Sequence, residues 1–399
     1  MIINRQNDID RIFTLGLILC FIAASMEANI CFPVLKEIQI HFSISEHQAQ
    51  SIISINFISL SILGILVGYL SDYFSPLKLL CFGIVLLGIS SLGCFMANTI
   101  NSLLFFRFLQ GLSAAFPIVI CSTIILKIYP QDQSLRLLNF INSIVVICLM
   151  SAPLIGSIVT YFFGWRFVFI VTLFTCILGS LSIMHCSKQI RVTVLHRRLS
   201  LEYLIKDIKY VLYNRTYILY GLSWAAVCSI LFIYFVNLPF INIKNGIYNY
   251  VSSSLVQFLI MGSFVITSFI ISRYAVFSNI EYIVQIGWKF IFLASIIMLF
   301  CIFYLNFYLL NISMTFFAIG NACLIGVLSV KSISGLSRLE GTATSLLQST
   351  RYLIMTLAIH ITLNTNPYYN TLIIILILSV SAFLLYILAK GNQRNLQEC

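Results

Sequence analysis

Charge is scarce in this chain. Asp, Glu, Lys and Arg make up 9% of its 399 residues, whereas ordinary globular domains carry about a quarter. So few charged side chains cannot clothe so much apolar material in water, since 60% of the residues are hydrophobic and the mean hydropathy is +1.02. The solvent is therefore a bilayer. Paired cysteines are missing too. The twelve are scattered singly, with no CxxC and no Cys/His cluster at metal-ligand spacing, which excludes a zinc site and a disulfide framework. Those inside apolar runs, such as Cys20, Cys94 and Cys121, read as small buried hydrophobes. The five histidines make no metal set, and no nucleophile clusters with a base, so neither an intramembrane enzyme nor a resident cofactor is expected. The sequence holds no GxxxxGK[ST] phosphate loop and no stretch that reads as a soluble domain, so an ATP-driven pump is not expected either.

What is present in abundance is apolar length. A helix needs roughly 20 apolar residues to cross a bilayer core, and twelve runs meet that measure. They lie at about 12–34, 49–70, 78–97, 102–125, 137–161, 166–186, 216–240, 252–273, 284–305, 308–330, 342–363 and 371–390. The first is too long for a signal-peptide core and lacks a small-residue cleavage site, so it reads as a retained span. With the N-terminus inside, only Lys36, Arg166 and Lys244 fall in outer loops, while every other lysine and arginine outside the spans falls on the cytoplasmic side. Basic residues favour the cytoplasmic face, which puts both termini there. It also explains the net charge of +11 without nucleic acid as a partner.

The longest loop, 187–215, separates a segment 1–186 from a segment 216–399, six spans each. Within it, "SLEYLIKDIKYVLYN" puts Leu201, Leu204, Ile205, Ile208 and Leu212 on one helical face. Lys206, Asp207 and Lys209 lie opposite, with Ser200 as N-cap. Such a helix either lies along the inner leaflet or simply connects the halves. The halves echo each other: span 1 ends "NICFPVL" and span 7 ends "FVNLPFI", with Pro33 and Pro239 in matching places. The expected fold is an all-α membrane protein of twelve transmembrane helices, in two six-helix bundles related by pseudo-two-fold symmetry, with its site at midplane.

Four stretches carry a resemblance: "RFLQG" (Arg107 to Gly111), "SAPLIGSIVTYFFGWRFVF" with Pro153, Gly156 and the GWR turn at Gly164, Trp165 and Arg166, "GYLSD" (Gly68 to Asp72), and "EGTATSLLQSTRY" in span 11. In that order the chain resembles the major facilitator superfamily, specifically the twelve-span drug:proton antiporters of the Bcr/CflA type, over nearly its whole length. The resemblance implies a multi-pass protein of the bacterial inner membrane, expected as a monomer, that exchanges a small-molecule substrate for protons. It also assigns Gly68 and Asp72 to the loop that locks the cytoplasmic gate. Gly111, Pro153 and Gly156 supply small or kinked backbone for close helix approach, with consequences for rocking. Two features depart from the pattern. After Asp72 the family's glycine and basic residues are replaced by Tyr73, Phe74, Ser75, Pro76 and Leu77, leaving only Lys78 charged. Asn29 stands where relatives often have an aspartate, and the acid of this span is Glu27.

Arg107 is a charge inside an apolar run, and a guanidinium does not shed its proton. At 1.5 Å per residue, Glu27 lies roughly 10 Å and Arg107 roughly 8 Å below the outer boundary. In the resembled fold their spans are neighbours lining a cavity, so the two are expected to pair, which removes most of the cost of burying either alone. Glu27 is the only acid placed inside a span. Burial favours its neutral form and a facing arginine its charged form, an opposition suited to loading and releasing a proton. A static bridge that only fixes helix packing is the other reading. Arg351, about 14 Å into span 11, has no acid in the second half to meet it, which leaves Gln348, backbone carbonyls or a bound anion; the resemblance, which puts an arginine in this segment, implies a structural role for it ahead of ligand contact. One acid against two arginines favours neutral or anionic cargo. The remaining candidates for the substrate cavity are Asn29, Asn56, Gln110, Tyr234, Phe235, Asn237, Gln257, Asn321 and Gln348. Each polar one serves equally well as glue between helices, and the aromatics suit a broad pocket. The expected function is proton-coupled export of small amphipathic compounds. Transport of a defined metabolite or an anionic chelator such as a siderophore is the alternative, and a membrane receptor or scaffold the non-transport one.

Overall fold

The computed structural model describes residues 2–128, 131–186, 201–244, 250–274, 280–304, 306–334, 336, 339–361 and 367–398. Among the described residues there are fourteen helices and no strand. In order they are α1 (Ile2–Asn29), α2 (Leu35–Phe42), α3 (Glu46–Tyr73), α4 (Pro76–Met96), α5 (Ile100–Ile128), α6 (Gln131–Phe163), α7 (Phe167–Cys186), α8 (Leu201–Tyr213), α9 (Arg215–Lys244), α10 (Tyr250–Tyr274), α11 (Ile280–Phe303), α12 (Phe307–Ile333), α13 (Glu340–Ile361) and α14 (Pro367–Glu398). Helix is what a bilayer demands, because hydrocarbon offers no partner to an unpaired backbone group. All but α2 and α8 are 20 residues or longer, and these twelve coincide with the twelve apolar runs. Ten of them are long and apolar enough to cross a membrane by composition alone. Of the other two, α6 has the apolar stretch Ile147–Phe163 and α13 carries Arg351 at its middle.

The chain divides into two compact units, Met1–Ile44 with Ser51–Ser200 and Ser45–Gln50 with Leu201–Cys399. In the first, α1 packs on α5, α6 and α7, while α4 packs on α5 and α7. In the second, α9 packs on α12, α13 and α14 and is buried almost all round between Arg215 and Ile241. Helices α10, α11 and α14 instead expose Leu259, Phe269, Phe300 and Leu388, an apolar surface that suits lipid.

Three local expectations need correction. Span 1 does not continue as helix to residue 34: α1 ends at Asn29, and a buried turn through Ile30, Cys31, Phe32 and Val34 leads into α2. Pro33 is the cause, since it has no N–H to donate and pushes the preceding residue out of helical geometry. The matching Pro239 lies inside α9 and does not end it. The carbonyl that its missing N–H leaves over is that of Phe235, one turn earlier, and Gln257 Nε2 of α10 donates to that oxygen at 3.3 Å. In α8 the inward stripe is Leu204 and Val211 with half-buried Ile208 between them, whereas Ile205 and Leu212 are exposed. Spacing of four then three residues fits a narrow seam, and the broader face read from the sequence does not all turn inward. Ser200 lies outside the described residues, as does the side chain of Asp72. Where the family's basic loop stands, α4 here starts with Pro76 after Ser75, a position where proline's missing N–H costs nothing.

Two glycines mark backbone contact. A Cβ at Gly111 of α5 would collide with the Asn56 carbonyl oxygen and Ser59 Oγ of α3. One at Gly156 of α6 would collide with the carbonyl oxygen of Ile30. Arg166, in the turn before α7, donates to the Ala97 carbonyl at 3.0 Å and lies 4.5 Å over the Trp165 ring.

The substitution Gly111→Ala is expected to lower stability by about 1–3 kcal/mol, the usual range for overpacking, because the obstacle is backbone. Gly326→Ala, at a position with nothing within 4 Å, should stay within about 0.5 kcal/mol of the parent, as surface substitutions do. Thermal melts in detergent compare the two. In the same assay Gln257→Leu should cost about 1–3 kcal/mol, the penalty of a buried carbonyl left unpaired.

Candidate functional site

The functional centre of the first unit grows from α5. Arg107, Gln110 and Gly111 are spaced three and four apart, so they share one helical face. That face meets the last turn of α1, the middle of α3 and α4. Arg107 Nη1 lies 3.1 Å from Glu27 Oε2, with the two side chains 0% and 1% exposed. The same nitrogen donates to Gln110 Oε1 at 3.0 Å and to the Glu27 carbonyl at 3.4 Å, while Nε donates to the Ile52 carbonyl at 3.3 Å. Asn56 Nδ2 donates to Glu27 Oε2 at 3.3 Å and to the Arg107 carbonyl at 3.2 Å. Gln110 passes the network on, its Nε2 donating to Ser91 Oγ at 2.8 Å while Cys94 Sγ donates to its Oε1 at 3.4 Å. The fixed positions of "RFLQG" thus have separate tasks: a cation for Glu27, an amide that links that cation to α4, and a hydrogen where α3 touches.

The ion pair is one-sided. Glu27 Oε1 and Arg107 Nη2 are both buried and have no hydrogen-bond partner, and Asn56 Oδ1 is in the same condition. A two-pronged bridge, the usual way an arginine meets a carboxylate, would have used both oxygens. Here one carboxylate oxygen is fully engaged and the other is unengaged. That oxygen can accept a proton without displacing any bond the pair already makes.

The other sequence candidates are placed as follows. Asn29 turns back on its own helix, Nδ2 donating to the Ser25 carbonyl at 2.8 Å. In the second unit Tyr234 is fully buried, with its hydroxyl on Asn311 Oδ1. Phe235 is buried beside it. Asn237 donates to the Ile233 carbonyl and accepts from Gln50 Nε2 at 2.9 Å, both in the second unit. Asn321 Nδ2 reaches the Val227 carbonyl at 3.2 Å. Tyr234, Asn237 and Asn321 thus join one helix to another, while Asn29 bonds within its own. Gln348 and Arg351 are half-buried on α13. The guanidinium carbon of Arg351 lies 4.5 Å from the ring centre of Tyr352, 5.8 Å from that of Trp224 and 6.0 Å from that of Phe232. Gly68 and Asp72 fall in the last two turns of α3, and Pro153 with Gly156 in α6.

Sequence reasoning missed Ser91, Cys94 and Trp224. Nothing in a single sequence says which small polar residue of α4 faces α5. Trp224 gave no such signal either, because the near-complete burial of α9 is a product of tertiary packing.

The model of the Major Facilitator Superfamily matches residues 17–359. The bicyclomycin resistance protein homolog of Haemophilus influenzae is 20% identical over 356 residues, 86% of each chain. Multidrug resistance protein 3 of Bacillus subtilis is 26% identical over 136 residues, which are 34% of this chain and only 26% of that protein. Among solved structures, a peptide transporter POT in complex with sulfate superposes with a TM-score of 0.76 at 14% identity, covering 96% of this chain and 94% of the other. A bacterial homolog to the human lysosomal transporter Spinster, in an inward-facing and unoccupied conformation, gives 0.73 at 12% identity over 95% and 96%. At such identities the superpositions speak for the fold. The family match spans most of the chain, and with twelve long helices and a buried Glu27–Arg107 pair behind it the conclusion is that this protein belongs to the major facilitator superfamily.

Proposed function

We propose that this membrane transporter is a proton-coupled exporter of small amphipathic compounds, working by alternating access in the bacterial inner membrane with both termini in the cytoplasm. The observation that carries the coupling is the unengaged Oε1 of Glu27. When the carboxyl is ionised, Arg107 and Asn56 hold Oε2. When a proton arrives it sits on Oε1, the attraction to Arg107 weakens, and the contacts of Nη1 with Gln110 and the Glu27 carbonyl keep the guanidinium in place. One group thus alternates between two charge states within one set of neighbours. The segments 1–186 and 216–399 act as the two rocking bundles, joined through 187–215, and the protein works as a monomer. Gly68 and Asp72 serve the cytoplasmic gate, while Gly111, Pro153 and Gly156 keep the helices of their bundle in close register as it moves. The substrate cavity is formed from the candidates above, with Gln348 and Arg351 the most accessible of them. The relatives whose names speak of multidrug and bicyclomycin resistance support export. Transport of a defined anionic metabolite or chelator is the second reading, favoured by Arg351.

Everted membrane vesicles with an imposed pH gradient, challenged with cationic, neutral and anionic compounds, test the function directly. For a compound the parent accumulates, Glu27→Gln should reduce gradient-driven accumulation at least tenfold while movement down the compound's own gradient continues. Accumulation at the parental level would remove Glu27 from coupling. Stability offers a separate check. Arg107→Leu alone leaves a buried carboxylate uncompensated and should cost about 3–5 kcal/mol. The double variant Glu27→Leu, Arg107→Leu should cost clearly less than the two single changes added together, as read from melting in detergent.

A further inference from the structure

Among the described residues, Arg107 and Arg351 lie deep within spans, and the structure treats them differently. Arg107 has Glu27. For Arg351 no acidic partner occurs among the described residues. Glu340 opens the same helix, but it is eleven residues away, about 16 Å along the axis. What surrounds Arg351 is a shell of three rings, Tyr352 from its own helix with Trp224 and Phe232 from α9. Ring faces attract a guanidinium but accept none of its N–H groups in the manner of an oxygen. Arg351 Nε is accordingly buried with no partner, and so is Nε1 of Trp224, a side chain only 4% exposed. Two helices therefore present unmatched donors at one place, and one of those donors belongs to a permanent cation. Arg351 as a whole is only half-buried, so part of the residue stays open although Nε itself is covered, and a ligand reaches the two donors by a shift of the side chains above them.

We infer that Arg351 and Trp224 form the binding site for the negatively charged oxygens of a small organic anion, whose flat apolar body lies against the Phe232 and Tyr352 rings. The chemistry follows from what is unmatched: a carboxylate accepts from both donors, supplies the counter-charge, and leaves the aromatic shell to the rest of the molecule. An organic cation would meet like charge at the same spot, and a neutral amide would satisfy a donor without balancing the charge. This assignment rests on the transporter reading and adds the substrate class to it. Binding needs no pH gradient, so a protein that fails the vesicle test can still pass this one, and the reverse.

The experiment is equilibrium binding to the purified full chain in detergent. Benzoate, 2-naphthoate and indole-3-acetate are each compared with their own carboxamide, using radiolabelled ligand. At least one carboxylate should bind ten times more tightly than its amide. Arg351→Gln should weaken that carboxylate at least tenfold and leave the amide within twofold, with Arg351→Lys recovering part of the loss. Should Arg351→Gln fail to fold, Trp224→Phe keeps the ring and removes one donor, and should weaken the carboxylate alone about threefold or more. If no carboxylate outbinds its amide, or if folded variants bind it as the parent does, the inference is overturned.

Discussion

A guanidinium in hydrocarbon must be neutralised where it stands, and the first unit is arranged around that requirement at Arg107. The last turn of α1 brings the carboxylate, α3 brings Asn56 and the Ile52 carbonyl, and α4 is tied in through Ser91. Gly111 lets α3 come close enough for Asn56 to reach the Glu27 carboxylate and the Arg107 carbonyl. Remove any one of these and the others lose their purpose. Among the described residues, satisfaction is incomplete on both sides of this ion pair. In a buried polar network such incompleteness is costly, and it is placed on the two groups whose charge states matter most.

The same physics sets the remaining polar residues to work on backbone. Gln257 attends the carbonyl beneath Pro239, Asn321 reaches Val227, Ser223 Oγ donates to the Ala382 carbonyl, and the Tyr217 hydroxyl donates to that of Ala343. Each joins one helix of the second unit to another. A polar side chain in a span is therefore weak evidence for a pocket, because a helix junction makes the same demand. The distinction comes from what is left unmatched. Gln257 Oε1 and Asn321 Oδ1 are unmatched acceptors, whereas Trp224 Nε1 and Arg351 Nε are unmatched donors within one aromatic shell, and one of them belongs to a permanent cation.

Much of this was readable in advance because the bilayer makes the rules strict. Apolar length located all twelve long helices, and counting residues put Glu27 and Arg107 at similar depth, where the structure has them in contact. What could not be read is azimuth. Nothing in the order of residues says that Ser91 and Cys94 face α5, that Ile205 of α8 turns outward, or that Trp224 stands over Arg351. Those depend on how each helix is rotated against its neighbours, and tertiary packing alone fixes rotation. Helix ends were intermediate: Pro33 was a visible stop signal whose effect on α1 came a turn earlier than apolar length suggested, while Pro239 was the same signal overridden by packing from α10.

The meeting of Pro239 and Gln257 bears on how this sequence can drift. While the proline is there, the glutamine amide is tied to an oxygen that residue 239 cannot serve. Were a mutation to restore an N–H at 239, that oxygen would be claimed from within α9 and the glutamine set free. Positions 239 and 257, eighteen residues apart on successive helices, should therefore change in step through descent, each substitution opening or closing the route to the other.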